Sequence, residues 1–471
     1  MSAGLRGWPP RGGWAPFAVV VAVSAALLGF DLGRRVLSTN DEARFPMMAR
    51  DILTNGHWLL PELSGVPMLN KPPLHAWLIA IGAWPTGAVS QRTAVVPSFI
   101  GALGLVAMTC WIAQRLFGVG AGLTAGLIVA TTAGVFAMAR SAVPDMTLSL
   151  GIAAAMAAFV RAELDGRRSA WLGFYALVGV ACWAKGPAGL LPLAVVVAYQ
   201  LATSGWRGVT RMRSTVGVAM LVVLVAPWWA LAAHVGQAQF LQDVVWADMT
   251  QGYNPMRALT WRRFVEPFGT AVTILLPWSL LLPFAMPWAV RRWKTATAVG
   301  DRLALVWAIT VFLVVAASSR QRWRYYLPLC VPGSLLVAGW LVSRRIWSQM
   351  GIAVAAWAVI AASLAIGEIY VTARDNRGAQ LRTIARALEP DEALTLAVEA
   401  PELVLSFYLK RPIRAVSDTT EFRGLGPPLY VIARNPPAQE SFDPIAEGFV
   451  KGRRFVLWEK RGVPSPPPGA R

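Results

Sequence analysis

Apolar runs of about 20 residues recur along the chain from near the N-terminus to about residue 371. A helix needs about 20 apolar residues to cross the hydrocarbon core of a bilayer, so each run is a candidate membrane span. The composition agrees, since 56% of the 471 residues are hydrophobic and only 15% are charged. These features predict a mainly α, polytopic membrane protein of about eleven transmembrane helices. The predicted spans are approximately 14–33, 94–116, 119–138, 144–162, 170–184, 187–203, 215–234, 268–288, 303–319, 326–342 and 349–371.

Short basic clusters between the runs indicate the orientation. The connections "RAELDGRR", "WRGVTRMR", "RRWK" and "SRR" alternate along the chain, and the positive-inside rule assigns them to the cytoplasm. The first run is long and lacks a small-x-small cleavage site, so we expect a retained span rather than a removed signal peptide. The remaining connections then face outward: 34–93, 139–143, the neighbourhood of Lys185, 235–267, 320–325 and all residues after 371.

Several cations lie on the connections predicted to face outward, where the positive-inside rule predicts few. They are Arg44, Lys71, Arg140, Lys185, Arg320, Arg322 and Arg324. Cations on that face suggest an anionic ligand there. The net charge of +19 could also suggest nucleic acid. Tryptophan-rich spans between the basic clusters instead favour anionic lipid headgroups or lipid phosphates, so we expect membrane lipids as partners and no nucleic acid.

The chain divides into three parts by composition. Residues 1–371 form the predicted transmembrane domain, with a large extracytoplasmic loop at 34–93. In 372–462 the apolar runs shorten to strand length in "ALTLAVEA", "PLYVIAR" and "RRFVLWEK", while "PELVLSFYLK" has helical spacing. This pattern predicts a small soluble α/β domain on the extracytoplasmic side. The proline-rich tail, 463–471, is predicted to be disordered.

Two adjacent carboxylates follow the first span, in the segment "TNDEARFPMMAR". Asp41 and Glu42 are expected near the start of a helix that Asn40 could cap. Pro46 is tolerated only near the first turn, so the helix is predicted to begin close to Glu42. The acids could simply complement the helix dipole, or they could orient or deprotonate an acceptor group. Asp145, in "ARSAVPDMTLSL", leaves the same two interpretations open.

Lysines at two turns are candidates for binding a phosphate. In "NKPPLHAW", two prolines prevent Lys71 from entering a helix, which fixes a point charge near the membrane surface. The alternative is a lysine that snorkels beside Trp77. In "WAKGPAGLLPL", the Gly186-Pro187 pair predicts a tight hairpin with Lys185 at its tip, as a structural residue or as part of a site.

Alternating arginines precede a late span in "SSRQRWRYYLPL". Arg320, Arg322 and Arg324 are each two residues apart and lie just before Tyr325. One or two of these arginines are expected to reach a common site. The others would meet lipid headgroups.

Common catalytic and metal-binding motifs are absent from the sequence. It contains no G-x-x-x-x-G-K, no Asp-x-Asp and no G-x-S-x-G. The three histidines and three cysteines are too scattered to indicate a metal site or a disulfide framework. They are His57, His75, His234, Cys110, Cys182 and Cys330. We therefore predict no metal and no other cofactor.

The ordered motifs resemble the GT-C membrane glycosyltransferases, in particular the branch of lipid A aminoarabinose transferases and protein O-mannosyltransferases. The resemblance rests on "DEARFPMMARDILTNGHWLLPELSGVPMLNKPPLHAWLIAIG", "RTAVVPSFIGALGLVAMTCWIAQRLFG", "ARSAVPDMTLSL", "WAKGPAGLLPL", "FVEPFGTAVTILLPWSLLLPF" and "RYYLPLCVP". It covers nearly the whole membrane part and implies transfer of a sugar from a polyprenyl-phosphate carrier.

The resemblance also implies roles for individual residues. Asp41 matches the catalytic aspartate of the family and Asp145 a second acid, while Lys71 matches a lysine near the carrier phosphate. Tyr325 matches a tyrosine before the late span. Asn70 stands where some relatives have an acidic residue associated with a metal, which agrees with the prediction of no metal. Pro46 departs from the family's uninterrupted helix.

The resulting hypothesis is a glycosyltransferase of the bacterial inner membrane, acting on the extracytoplasmic face with inversion. A phosphate leaving group needs cations to stabilise its growing charge but requires neither a metal nor a general acid. The predicted catalytic residues are Asp41, Asp145 and Glu42. The predicted residues for the carrier phosphate are Lys71, Arg44, Lys185, Arg320, Arg324 and Tyr325. The alternatives are a transporter or flippase of a lipid-linked sugar, and a non-catalytic envelope scaffold.

Overall fold

The computed structural model describes most of the chain. The described residues are 15–250, 261–295, 297–318, 321–344, 350–378, 381–388, 394–398, 402–411, 413–416, 429–435, 442–450 and 453–460. Arg320 and the predicted disordered tail lie outside the described residues.

Helices make up most of the described chain. They are α1 (Ala15–Gly29), α2 (Asn40–Asn55), α3 (Leu74–Ala83), α4 (Gln91–Phe117), α5 (Val119–Ala130), α6 (Ala133–Met138), α7 (Asp145–Asp165), α8 (Arg168–Lys185), α9 (Leu191–Ser204), α10 (Trp206–Thr210), α11 (Ser214–Phe240), α12 (Trp261–Ile274), α13 (Leu282–Arg291), α14 (Val299–Ala316), α15 (Cys330–Ser343), α16 (Met350–Gly378), α17 (Arg382–Leu388) and α18 (Glu402–Leu409). Two 3-10 segments, Gly186–Leu190 and Trp323–Leu329, become important for the site.

Strands form two sheets. They are β1 (Glu62–Leu63), β2 (Val66–Pro67), β3 (Leu394–Val398), β4 (Arg414–Val416), β5 (Leu429–Ala433), β6 (Phe442–Val450) and β7 (Arg453–Lys460). β1 and β2 make a short antiparallel ladder in the loop after α2. The other five strands form one mixed sheet near the C-terminus, in the order β4-β3-β5-β7-β6.

The prediction of a polytopic membrane protein is confirmed, but the prediction of eleven spans is not. Within the described residues, seven helical segments are long and apolar enough to cross a membrane, and an eighth crossing results if one bent helix pair counts as a single span. Two of the predicted spans correspond to shorter apolar helices, Pro16–Gly29 and Val119–Ala130. At the end of the second, the Thr131 and Thr132 hydroxyl groups donate to the carbonyl groups of Leu127 and Ile128.

The apolar segment that contains α8 and α9 turns back on itself. Lys185, at the end of α8, pairs with Asp145 at the start of α7. Gln200, near the end of α9, donates to Glu163 near the end of α7. The two helices therefore run along α7 in opposite directions. Gly186 has φ 60° at the turn, which is accessible to glycine at little cost, so the predicted hairpin is present.

Helix α2 begins two residues earlier than predicted. The Thr39 hydroxyl, and not Asn40, accepts from the Glu42 amide and caps the helix. Gly56, with φ 76°, ends it in the left-handed conformation. Pro46 lies in the second turn, where the helix continues through it. The expectation that Pro46 fixes the helix start was therefore wrong.

The C-terminal sheet uses both of its faces. Ile432 and Leu457 pack in a core with α17 and α18, which lie on one face. Leu429 and Val431 pack in a second core on the opposite face. The alternation along β5 is that of a strand buried on both sides.

Each of the three segments predicted as strands contains one: β3, β5 and β7. The segment with helical spacing contains α18. The sequence did not reveal β4 and β6. β4 has only three residues, and β6 is interrupted by a register shift next to Pro444.

Candidate functional site

A cavity of about 800 Å³ lies where distant parts of the chain meet. Its charged residues come from the first turn of α2, the loop before α3, the start of α7, the turn between α8 and α9, and the segment 322–325. Seven of the candidate residues line it: Asp41, Arg44, Lys71, Asp145, Lys185, Arg324 and Tyr325. Residues separated by up to 284 positions in sequence are thus brought into one pocket.

Asp41 projects from the first turn of α2 into a ring of arginines. Its Oδ1 is 3.2 Å from Arg44 NH1, and its Oδ2 is 2.9 Å from Arg324 NH2. Arg322 also pairs with Oδ2. The Asp41 side chain is 22% exposed, so the carboxylate remains accessible to a ligand in the cavity.

Asp145 is the second carboxylate and is almost completely buried. Its Oδ1 accepts from Lys185 Nζ at 2.5 Å, which joins the start of α7 to the end of α8. Its Oδ2 is 3.4 Å from Arg324 Nε. Arg324 therefore contacts both Asp41 and Asp145. This bridge fixes the two acids relative to each other, because a guanidinium group is planar and presents several donors at fixed angles.

Tyr325 closes the same cluster with its aromatic face. Lys185 Nζ is 4.2 Å from the centroid of the Tyr325 ring, a distance at which a cation is attracted to the ring. Tyr325 lies within the 3-10 segment, directly before its buried residues Tyr326–Leu329. The ring thus helps to hold Lys185 beside Asp145.

Lys71 lies on the loop that precedes α3. Pro73 is the residue that caps α3, so the two prolines keep Lys71 outside that helix, as the sequence predicted. Lys71 and Arg44 both line the cavity. Among the described residues of the lining, five side chains are cationic and two are carboxylates, which leaves an excess of three positive charges. Such a lining attracts an anion.

Much of the cavity wall beyond these charged residues is apolar. It comes mainly from α7, α9 and α14 and from the turn before α9: Leu148, Leu190, Leu191, Ala194, Val314 and Val315. The lining therefore combines charged groups with hydrocarbon. A ligand with a charged head and an apolar chain fits both sides.

Glu42 does not line the cavity, although it neighbours Asp41. It pairs with Arg35 and accepts from the Ser38 amide at 3.1 Å, and it is buried. These contacts fix the loop between α1 and α2. The structure thus separates the two adjacent acids: Asp41 lines the cavity, whereas Glu42, predicted as a third catalytic residue, binds within the loop between α1 and α2.

Other residues of the lining were not selected from the sequence. Arg322 was named only among the outward cations, yet it reaches Asp41 together with Arg324. Gln239 and Trp229, from α11, also line the cavity. A Cβ atom added at Gly186 would lie 3.3 Å from the Trp229 ring, so the turn and α11 pack closely against each other. Nothing in the sequence pattern marks these two residues.

Two of the three histidines have local partners. His57 Nδ1 is 3.1 Å from Asp51 Oδ2, and His75 Nδ1 is 2.9 Å from the Thr147 hydroxyl group. Burial lowers the pKa of His75 to about 3. Across the described part of the chain, no group of three or more histidine, cysteine, aspartate or glutamate side chains is placed to hold a metal ion. The absence of a metal from the reaction stays a prediction.

The fold and the cavity define a GT-C membrane protein. A sequence profile described as dolichyl-phosphate-mannose-protein mannosyltransferase matches residues 70–230. The structure aligns with ArnT from Cupriavidus metallidurans bound to undecaprenyl phosphate, with a TM-score of 0.76 over 97% of this chain and 100% of that one, at 21% identity. An archaeal oligosaccharyltransferase, AglB from Archaeoglobus fulgidus, aligns with a TM-score of 0.57 over 87% of this chain and 65% of that one, at 13% identity. At these identities the structures establish the fold.

Sequence comparison shows which GT-C proteins this chain is similar to. The chain is 27% identical over 350 residues to an undecaprenyl phosphate-alpha-4-amino-4-deoxy-L-arabinose arabinosyl transferase from Edwardsiella ictaluri, over 72% of this chain and 61% of the relative. It is 30% identical over 328 residues to a transferase of the same description from Sodalis glossinidius, over 65% of this chain and 55% of the relative. The chain thus has a GT-C fold and is similar in sequence to aminoarabinose transferases and, over residues 70–230, to the mannosyltransferase profile. It spans only 55% to 61% of the length of these relatives.

Proposed function

We propose that this protein transfers a sugar from a polyprenyl-phosphate carrier to an acceptor of the cell envelope. The observation that carries the proposal is the cavity itself, which joins an excess of positive charge and two carboxylates to an apolar wall. A polyprenyl-phosphate sugar has a phosphodiester next to a long hydrocarbon chain. Both parts find matching surfaces in one pocket.

The cations bind and activate the phosphate. As the bond between the anomeric carbon and the phosphate oxygen breaks, negative charge grows on the leaving phosphate. Lys71 supplies a point charge for it, and Lys185 and Arg324 supply charges that are already fixed by Asp145 and Tyr325. Fixed charges stabilise the transition state without reorganising, which is the main source of such catalysis.

Asp41 acts on the acceptor. Its accessible carboxylate orients the acceptor group and takes its proton as that group attacks the anomeric carbon. The attack forms one new glycosidic bond, the polyprenyl phosphate leaves, and the configuration at the anomeric carbon inverts. Asp145 is buried between Lys185 and Arg324, which suits a role in holding these cations in place.

Relatives support the type of carrier. The curated relatives are described as using undecaprenyl phosphate-linked aminoarabinose, and the ArnT structure contains undecaprenyl phosphate. For this chain we propose a polyprenyl-phosphate carrier, and an acceptor that is a lipid, a glycan or a protein.

The membrane topology is part of the proposal. We propose about eleven crossings in the bacterial inner membrane, with the cavity and the C-terminal domain, 372–462, on the extracytoplasmic side. The alternate basic connections and the single location of Asp41, Lys71 and Asp145 support this arrangement. The reaction is proposed to need no metal.

The test uses purified protein in liposomes that contain a radiolabelled polyprenyl-phosphate sugar and extracts of envelope acceptors. We expect the label to move from the carrier into a new product that chromatography separates from the carrier lipid. A flippase would instead move the labelled lipid between leaflets without changing it chemically. Translocation without transfer, across all envelope acceptors offered, would contradict the proposal.

A further inference from the structure

The C-terminal helix α18 lies along α2, the helix that carries Asp41. Asn40, the residue before Asp41, donates from Nδ2 to Glu402 Oε2 at 2.8 Å. Its Oδ1 accepts from the Leu403 amide at 3.2 Å, so Asn40 binds the first turn of α18. This explains why Asn40 is not the cap of its own helix.

The far end of α2 binds the other end of the same helix. Arg50 donates to the carbonyl groups of Ser406 and Phe407, at 3.2 and 2.9 Å. Its guanidinium group also lies 5.1 Å from the centroid of the Phe407 ring. These carbonyl groups belong to the last turn of α18, where a cation is favoured. Burial lowers the pKa of Arg50, which nevertheless stays a strong cation at neutral pH.

A third contact holds the loop that leads into α2. The Leu37 amide donates to the Tyr408 hydroxyl group at 2.7 Å, and that hydroxyl group donates to Gln91 Oε1 at 3.2 Å. Leu37 and Ala43 are fully buried in one apolar core with α17, α18 and the C-terminal sheet. The loop, the helix and the C-terminal segment therefore pack as one unit.

These contacts bear on the part of α2 that needs support. The first turn of a helix lacks half of its backbone hydrogen bonds and opens most easily. Asp41 lies in that turn, between Asn40, which is bound to α18, and Glu42, which is bound to Arg35. Asn40 and Arg50 are ten residues apart, about 15 Å along a helix, so the clamp spans most of α2.

We propose that α18 and the C-terminal sheet form a positioning element that holds Asp41 in its catalytic orientation. The inference rests on the proposed function for its kinetic consequence. Glu402 and Tyr408 are positioning residues, since they touch α2 and its loop but do not line the cavity. The C-terminal domain is then a part of the active site's support rather than an independent accessory.

The test compares three glutamate variants of the full-length protein. Glu402→Ala removes the acceptor for Asn40, whereas Glu402→Gln retains a carbonyl oxygen in its place. Glu447→Ala is the matched control, because Glu447 is exposed on β6 and pairs with Arg454 of the neighbouring strand. Tyr408→Phe tests the loop contact separately.

We expect Glu402→Ala and Tyr408→Phe to lower kcat about fivefold to tenfold, since misplacing a catalytic group by about 1 Å costs up to about 100-fold. The KM for the donor should change less than twofold, because the phosphate-binding cations are untouched. Glu402→Gln should recover most of the activity, and Glu447→Ala should match the wild type. Equal activity of Glu402→Ala and Glu447→Ala would overturn the inference and leave the proposed function intact.

A second readout does not depend on activity. Hydrogen exchange of the peptide that contains the first turn of α2 should accelerate in Glu402→Ala and Tyr408→Phe, and not in Glu447→Ala. If the wild type transfers no sugar but this exchange pattern is observed, the proposed function fails while the mechanical coupling stands. Unchanged exchange in both variants would remove the coupling itself.

Discussion

Arg324 is the residue whose replacement tests the geometry of the site most sharply. It reaches Asp41 at 2.9 Å and Asp145 at 3.4 Å with different nitrogen atoms. Lysine keeps the positive charge but has a single ammonium group, which cannot hold both contacts. Arg324→Lys therefore separates the effect of charge from the effect of geometry, and Arg324→Met removes both.

The size of the effect follows from the contacts that are lost. A hydrogen bond to a charged group contributes about 1.5 to 3 kcal/mol. The Arg324 side chain is 19% exposed and its second contact is long, so we take about 2 kcal/mol, near the lower limit. If this energy is needed to hold the acids in the transition state, kcat falls about 30-fold.

The assay is steady-state transfer in liposomes at varied donor concentration. We expect Arg324→Lys to lower kcat about 30-fold while the affinity for polyprenyl phosphate changes less than threefold. Arg324→Met should weaken that affinity as well. The control is Arg454→Lys, at an exposed pair on the C-terminal sheet. A kcat within threefold of the wild type for Arg324→Lys would refute the role of the bridge.

Two further predictions concern the phosphate and a buried histidine. Lys71→Ala should weaken binding of polyprenyl phosphate about tenfold or more, as expected for one charge-assisted contact. Lys294→Ala, in the basic cluster "RRWK" that does not line the cavity, should leave the affinity unchanged. Equal affinities of the two variants by calorimetry would exclude Lys71 from the phosphate site. His75 is fully buried with its pKa lowered to about 3, so unfolding takes up a proton below about pH 6.5 and stability falls as the pH decreases toward 3. His75→Gln should lose this dependence, and parallel thermal-unfolding midpoints for both proteins from pH 8 to pH 5 would contradict it.

The order of charged and apolar segments gave one signal for the cavity. Cations on connections predicted to face outward conflict with the positive-inside rule, and this conflict singled out seven residues: Arg44, Lys71, Arg140, Lys185, Arg320, Arg322 and Arg324. Five of them line the cavity, whereas Arg140 does not and Arg320 lies outside the described residues. Such a conflict is visible in sequence because it depends only on the order of charged and apolar segments.

The local residue pattern did not distinguish Asp41 from Glu42, and only the family resemblance favoured Asp41. Adjacent residues on a helix point about 100° apart, and which one faces the cavity depends on the neighbours of the helix. Here Arg35 binds Glu42, while Arg322 and Arg324 arrive at Asp41 from a distant segment. The role of Asn40 was missed for the same reason, since its partner, Glu402, is 362 residues away.

The exact number of spans does not follow from the rule of about 20 apolar residues, because apolarity alone does not locate helix breaks. The hairpin at Gly186 was predictable from its Gly-Pro pair, which acts locally. The break after α5 had no such local signal, because threonine also bonds to the backbone within uninterrupted helices, as Thr124 does in α5 itself.

The most direct measurement is sugar transfer by Asp41→Asn in liposomes, beside Asp165→Asn as the matched control. Asp165 lies at the opposite end of α7 and pairs with Arg115, away from the cavity. We predict that Asp41→Asn inserts normally and binds polyprenyl phosphate but transfers no sugar, whereas Asp165→Asn retains wild-type turnover. Wild-type turnover in Asp41→Asn would contradict the assignment of this cavity as the place where the acceptor is activated.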